Sequence, residues 1–310
     1  MKKEQVGIVG SGQVGASLAT LLIGNGYPAV MLCTSASRFE PAIRTVRENF
    51  ESLESVGLVT SEQTNRCIKL LSTVDSYSEL SQVSFVFEAV YENAEVKRDV
   101  YRLLEDCLPG DAVIASATSA MSAEVLGEMF RRPERFLVAH PWNPPHLVPL
   151  VEVCSSKHTS RAAIDTTIEL LESLGRKVVV LSRDIEGFIG NRLMHAMFRE
   201  ALYMIEQGVC TAEDINTAVY YSFGQRYSSI GLLEHYDYAG LNLQHDVQSN
   251  LLPTLCNETG PQKVLLDCLQ RGEIGTTSGK GVLDWSGVDM QDFNNRRYKP
   301  FYQFFNWTLP

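Results

Sequence analysis

Val6-Gly7-Ile8-Val9-Gly10-Ser11-Gly12-Gln13-Val14-Gly15 is a short apolar strand that runs straight into a G-x-G-x-x-G turn. Leu18, Leu21 and Leu22 continue behind it with helical spacing. Between a strand and a helix the three glycines have a mechanism. They make the tight turn, let the backbone approach a pyrophosphate at the helix N-terminus, and permit close helix–strand packing. Gly10, Gly12, Gln13, Val14 and Gly15 are therefore candidate dinucleotide contacts, against the plain alternative of a βα turn with no ligand.

Working outward, short apolar runs alternate with helical periods: Ala29–Leu32, Ile68–Leu71, Val83–Phe87, Ala112–Ala115, Phe136–Ala139, then Leu147–Cys154 and Lys177–Leu181. Continuous apolar strands with helices between them indicate a parallel sheet covered on both faces. A helix is expected from about Ser160 to Leu174, ended by Gly175. From Ile185 onward the periods lengthen, as in Asn191 to Gln207, and Thr211 reads as an N-cap before Glu213 and Asp214. The expected fold is α/β: an N-terminal Rossmann-type, mostly parallel sheet domain over 1–184, followed by an all-α domain over 185–310. The tail carries Phe293, Tyr298, Phe301, Tyr302, Phe304, Phe305 and Trp307, a density suited to docking on a body or a subunit.

Composition narrows the function classes. In 310 residues, apolar side chains make up 45% and charged ones 21%, which excludes a disordered or collagen-like chain. Thirty-seven acids against 27 bases give a net charge of −10, so a nucleic acid meets repulsion. The seven cysteines are scattered with no C-x-x-C pair, which argues against a metal cluster and for reduced thiols in a cytoplasmic setting. No apolar run approaches the ~18–20 residues of a membrane span.

The end of the second strand is where an NAD site normally places an acid on the ribose hydroxyls. Here it reads Cys33-Thr34-Ser35-Ala36-Ser37-Arg38, with no acid before Glu40. Thr34, Ser35, Ser37 and Arg38 suit a 2′-phosphate, so NAD(H) and NADP(H) both stay open; a helix start capped by Arg38 is the plain reading.

Ala139-His140-Pro141-Trp142-Asn143-Pro144-Pro145-His146-Leu147-Val148-Pro149-Leu150-Val151-Glu152-Val153 carries the chemistry. His140 ends an apolar strand, where the carboxyl-end loops form a ligand crevice. A histidine there can take a hydroxyl proton as hydride leaves the same carbon, and a fixed carboxylate can hold its cationic form; Glu152 is the candidate.

These residues resemble the 3-hydroxyacyl-CoA dehydrogenases, and within them the branch that contains lambda-crystallin (L-gulonate 3-dehydrogenase) and carnitine 3-dehydrogenase. The likeness runs from Gly7 to Gly279-Lys280-Gly281-Val282-Leu283-Asp284-Trp285, and H-P-x-N-P-P followed by L-V-E is its specific part. The resemblance implies that His140 is the catalytic base and Glu152 its partner. Ser119 in Ser116-Ala117-Thr118-Ser119 would bind the reacting oxygen, and Asn191 in Gly187-Phe188-Ile189-Gly190-Asn191-Arg192 would complete the site. Glu92, Lys97 and Asn143 would contact the cofactor, and the helical domain would form a homodimer. A hydroxyl and an amide are donors of the kind a developing alkoxide needs.

The chain departs from that pattern in three places. Ala117 stands where relatives read an asparagine in S-N-T-S, and the second-strand acid is missing. Glu48-Asn49-Phe50-Glu51-Ser52-Leu53-Glu54 offers acids and no lysine where acyl-CoA enzymes hold CoA. Gly224-Gln225-Arg226-Tyr227 resembles the G-x-R-[YW] segment of the gulonate and carnitine branch, and an Arg fork binds a carboxylate bidentately, which makes Arg226 a candidate substrate anchor. The expectation is an NAD(P)-dependent oxidoreductase acting on a free 3-hydroxy acid, without a metal. A 3-hydroxyacyl-CoA dehydrogenase proper and a non-catalytic cofactor-binding homologue are the alternatives. A lysine-based β-hydroxyacid dehydrogenase is disfavoured, because no lysine lies between Lys177 and Lys263.

Overall fold

The computed structural model describes residues 3–310. They form two compact units, one of residues 3–188 with 294–310 and the other of 189–293.

The first unit is an eight-stranded sheet in the order β3-β2-β1-β4-β5-β6-β7-β8. The strands are β1 Val6–Val9, β2 Ala29–Leu32, β3 Leu71–Val74, β4 Phe85–Glu88, β5 Val113–Ser116, β6 Phe136–Pro141, β7 Leu150–Ser155 and β8 Lys177–Leu181. Every pairing is parallel except β6 with β7. The helices are α1 Gln13–Gly24, α2 Phe39–Ser55, α3 Ser61–Ile68, α4 Ala94–Cys107, α5 Ala123–Gly127 and α6 Arg161–Ser173. Alternation along each strand splits the core. Ile8, Phe87, Leu137 and Val153 pack with α1, α2 and α6, while Val9, Val86, Val138 and Cys154 pack with α4 and α5.

Ile68 to Leu71, expected as a strand, is instead the end of α3 followed by the start of β3. Thr60 caps α3 with a reciprocal Thr60–Gln63 box, and Cys67 is buried from it, so Ile68 is taken into the helix. β3 is an edge strand with Ser72 and Thr73 at its centre, and lacks the apolar signal of the inner strands.

The aromatic tail packs on the first unit rather than continuing the helical one as the 185–310 reading had it. The Trp307 ring occupies the space where Gly24 of α1 has no side chain, and stands edge-on to Phe50 at 6.1 Å. Tyr298, Tyr302, Phe305 and Leu309 join that core, and the Thr308 N–H donates to Asn25 Oδ1 at 3.3 Å. Burial of aromatic surface on the same chain is what holds the segment there.

The second unit is helical: α7 Gly190–Glu206, α8 Ala212–Tyr220, α9 Phe223–Tyr227, α10 Leu232–Ala239, α11 Leu241–Leu251, α12 Lys263–Gln270 and the first residues of α13, Met290–Tyr298. Thr211 caps α8 through Asp214, as its spacing predicts. Among the described residues no helix is long and apolar enough to cross a membrane.

Candidate active site

The strand order reverses beside β1, and the loops at the carboxyl ends of β1, β4, β5 and β6 carry the polar groups. Gly10 has φ +110°, and a Cβ there would meet the Ala89 carbonyl at 2.4 Å. A Cβ on Gly15 would lie 1.9 Å from the Gly10 oxygen, so both positions require glycine. Gly12 has nothing within 4 Å of its missing Cβ, and the first turn of α1 holds no acid. Bare amides at a helix start with open space in front fit a pyrophosphate.

Next to this turn, Val14, Ala89, Val90, Glu92, Lys97, Ala117, Thr118, Ser119 and Ala120 line a cleft of about 270 Å³. Four of the expected residues, Val14, Glu92, Lys97 and Ser119, thus share one cavity. Lys97 lies in the buried α4 stripe with Tyr101 and Leu104, and that spacing turns it toward the carboxyl end of the central strand β4. Its ammonium is 2.8 Å from Glu88 and 3.2 Å from Glu92. Glu88 also accepts from Tyr101 and Ser116 hydroxyls, both at 2.7 Å, and from the Val90 N–H at 2.9 Å. Thr118 donates to Glu92. A carboxylate buried this deeply is tolerable only because charge and donors surround it. Glu88 escaped the sequence reading, because an acid closing an apolar strand gives no sign of its partners.

At the next strands, β6 and β7 run antiparallel with His140 directly opposite Glu152. His140 follows Val138 on the α4–α5 face, one strand from Ser116. His140 Nδ1 and Glu152 Oε2 are 2.9 Å apart, and both residues are buried, at 4% and 1% exposure. A carboxylate only accepts, so Nδ1 carries the proton and Nε2 is left as the basic nitrogen. Trp142 Nε1 donates to the same Glu152 Oε2 at 3.0 Å. Phe188 stacks on the imidazole at 5.0 Å, carried there by positive φ at both Gly187 (76°) and Phe188 (50°). A left-handed phenylalanine costs on the order of 1 kcal/mol or more and marks a constrained position.

The loop after β6 is held by a second histidine that the sequence reading did not single out. The His146 backbone N–H donates to Ser17 Oγ at 3.0 Å, and that hydroxyl lies 2.6 Å from His146 Nδ1. Burial, and then the nearby Arg176 guanidinium, pull the His146 imidazole down to about 3. Arg176 donates to the carbonyls of Pro145 at 3.2 Å, Val148 at 3.3 Å and Leu174 at 3.1 Å, and burial lowers it to about 10. Asn143 is exposed on this loop.

At the end of β2, Cys33 is buried, while Thr34, Ser35, Ser37 and Arg38 are exposed around one turn, with 2.9 Å between the Ser35 and Ser37 hydroxyls. Burial raises the Cys33 thiol, opposed by a Ser11 hydrogen bond and Arg38 and assisted by Asp75, which closes neighbouring β3. Asn191 and Arg226 belong to the second unit. Asn191 is in the first turn of α7, and Arg226 Nη1 in α9 is 3.0 Å from His235 Nε2 of α10.

A dinucleotide cradle and a buried histidine–carboxylate pair on one sheet are the parts of an oxidoreductase that couples hydride loss from a carbon to proton loss from its oxygen. Comparison with known proteins agrees. Residues 5–185 match the family model of the 3-hydroxyacyl-CoA dehydrogenase NAD-binding domain, and 187–285 match that of its C-terminal domain. The chain is 30% identical over 277 residues to 5-formyl-3-hydroxy-2-methylpyridine 4-carboxylate 5-dehydrogenase of Mesorhizobium japonicum, 89% of each chain. It is 34% identical over 229 residues to an L-carnitine dehydrogenase of Bacillus cereus, covering 74% of this chain and 69% of that one. A solved 5-formyl-3-hydroxy-2-methylpyridine 4-carboxylic acid 5-dehydrogenase, described as an NAD+-dependent dismutase, superposes with TM-score 0.87 at 27% identity over 97% of both chains. The chain belongs to the 3-hydroxyacyl-CoA dehydrogenase family and is an NAD-binding oxidoreductase.

Proposed function

We propose that the protein catalyses reversible oxidation of a small free 3-hydroxy acid, and the observation that carries this reading is the buried 2.9 Å pairing of His140 with Glu152. When bound, the nicotinamide cofactor accepts or returns the hydride. His140 Nε2 takes the 3-hydroxyl proton during oxidation and returns it during reduction. Glu152 orients the ring and stabilises its cation. Ser119 and Asn191 donate to the reacting oxygen, and Arg226 takes the substrate carboxylate. Glu92 and Asn143 contact the cofactor, with Lys97 acting through Glu92, whose carboxylate it holds.

A free acid is favoured over a thioester by Glu48 and Glu51, which stand exposed on α2 where CoA phosphates would be repelled. Two of the relatives above are named for small carboxylic acids. Thr34, Ser35, Ser37 and Arg38 extend cofactor use to NADP(H), because no acid at the end of β2 repels a 2′-phosphate there. The protein works as a homodimer through its helical unit, where Leu233, Tyr238 and Leu241 are exposed at 74%, 92% and 65%.

Initial rates on acetoacetate and on acetoacetyl-CoA test the substrate class. Arg226→Ala is expected to raise KM for the free keto acid at least tenfold, about the loss of one charge-assisted contact. Normal turnover of acetoacetyl-CoA with R226A unimpaired would sink the free-acid reading. Fluorescence titration with NADH and NADPH tests the cofactor, and R38A is expected to weaken NADPH alone.

A further inference from the structure

We infer that Trp142 is a positioning residue for the acid/base pair: its indole N–H shares Glu152 Oε2 with His140 and limits how tightly that carboxylate holds the cationic imidazole. The inference rests on the reading of His140 as the acid/base group.

Residues two apart on a strand face the same side, so His140 and Trp142 both reach across to Glu152. The Trp142 N–H bonds the Leu150 carbonyl at 3.2 Å, which prolongs the β6–β7 ladder by one residue and fixes where the indole stands. His140 Nδ1 is 2.9 Å and Trp142 Nε1 3.0 Å from the same oxygen. Indole only donates, and an oxygen taking two N–H groups at these distances serves as an acceptor to both. The second donor draws negative charge off that oxygen and holds the carboxylate rotamer against the sheet.

The consequence is chemical. During oxidation His140 must be neutral to accept the hydroxyl proton, and during reduction its cation must release one. A carboxylate with its charge concentrated on the imidazole would favour the cation too strongly for the first task. Sharing Oε2 keeps the ring usable in both directions.

Other titratable and charged groups stand on the elements around the pair. Cys154, two residues along β7 from Glu152, is pushed up to about 12, chiefly by burial and then by Asp184. Asp184, just past β8, loses stability as a carboxylate through burial, but hydrogen bonds from the Glu124 N–H, Ser122, Cys154 and the Ala123 N–H outweigh this and hold it below the usual range. Beside it Arg183 and Glu186 are exposed, β5 presents Ser116, and Phe188 covers the ring.

The test measures kcat/KM for oxidation of 3-hydroxybutyrate against pH for wild type, W142F and H140Q. In W142F the acid limb is expected to move up by about 0.5–1 pH unit, the scale of a nearby charge partially restored. An unmoved limb in W142F, with only a lower rate, would show a purely structural role. A second measurement needs neither substrate nor a folded W142F. In ¹⁵N-tryptophan-labelled wild type, one indole N–H is expected to shift with pH in a single step, and H140Q should abolish that step. The absence of any titrating indole resonance overturns the inference. H140Q turning over at the wild-type rate sinks the catalytic reading alone, and an inactive H140Q with no titrating indole in wild type sinks this inference alone.

Discussion

His140, inside β6, and His146, on the loop that follows it, are both almost fully buried at 4% and 5% exposure but meet opposite neighbours. His140 has a carboxylate at 2.9 Å on its Nδ1. His146 has a serine hydroxyl at 2.6 Å, with a guanidinium as the nearest charge acting on it. An imidazole beside an anion can carry a proton through a reaction; one buried beside a cation is held neutral and serves as a hydrogen-bonding strut. Burial does most to hold His146 neutral and the guanidinium adds to it, while the carboxylate at 2.9 Å sets the proposed acid/base group, His140, apart from the residue that fastens its loop to α1.

The largest effect that tests this contrast is on rate. H140Q is expected to lower kcat about 10²–10⁴-fold, the usual worth of a positioned acid/base group, at unchanged Tm, and H146Q to act chiefly on Tm. Equal rate losses in the two variants would erase the distinction. Next in size is R176M, which removes the donor to the Pro145, Val148 and Leu174 carbonyls and is expected to cost about 3 kcal/mol in urea unfolding.

The smallest effect is on pH dependence and sharpens the account of His146. Its folded value of about 3 lies below the ~6.5 of an unfolded histidine, so the unfolded chain binds the extra proton first. Stability from this site is therefore complete above about pH 6.5 and is lost as pH falls toward 3. Denaturant midpoints of wild type minus H146Q should decline over that window, and a flat difference would contradict a neutral, buried His146.

Much of this was legible residue by residue. The turn at Gly10 to Gly15, the inner strands, the helix start near Ser160 and the cap at Thr211 follow from local pattern, and the structure places them within about three residues. β3 was misplaced because an edge strand with polar centre residues has no apolar run to read. His140 and Glu152 were readable as a motif, while Trp142, Glu88 and His146 carried no local sign of their partners.

Local sequence determined the doubly covered sheet, the dinucleotide turn and the candidate dyad, since period, glycine geometry and capping act over a few residues. Tertiary structure alone decided which polar groups meet. Ser17 finds His146 across 129 residues, Lys97 meets Glu88 at the end of β4, and Trp307 returns to Gly24. Those pairings depend on strands and helices brought together by burial of apolar surface, and the charge that a side chain finds there is not written beside it in the chain.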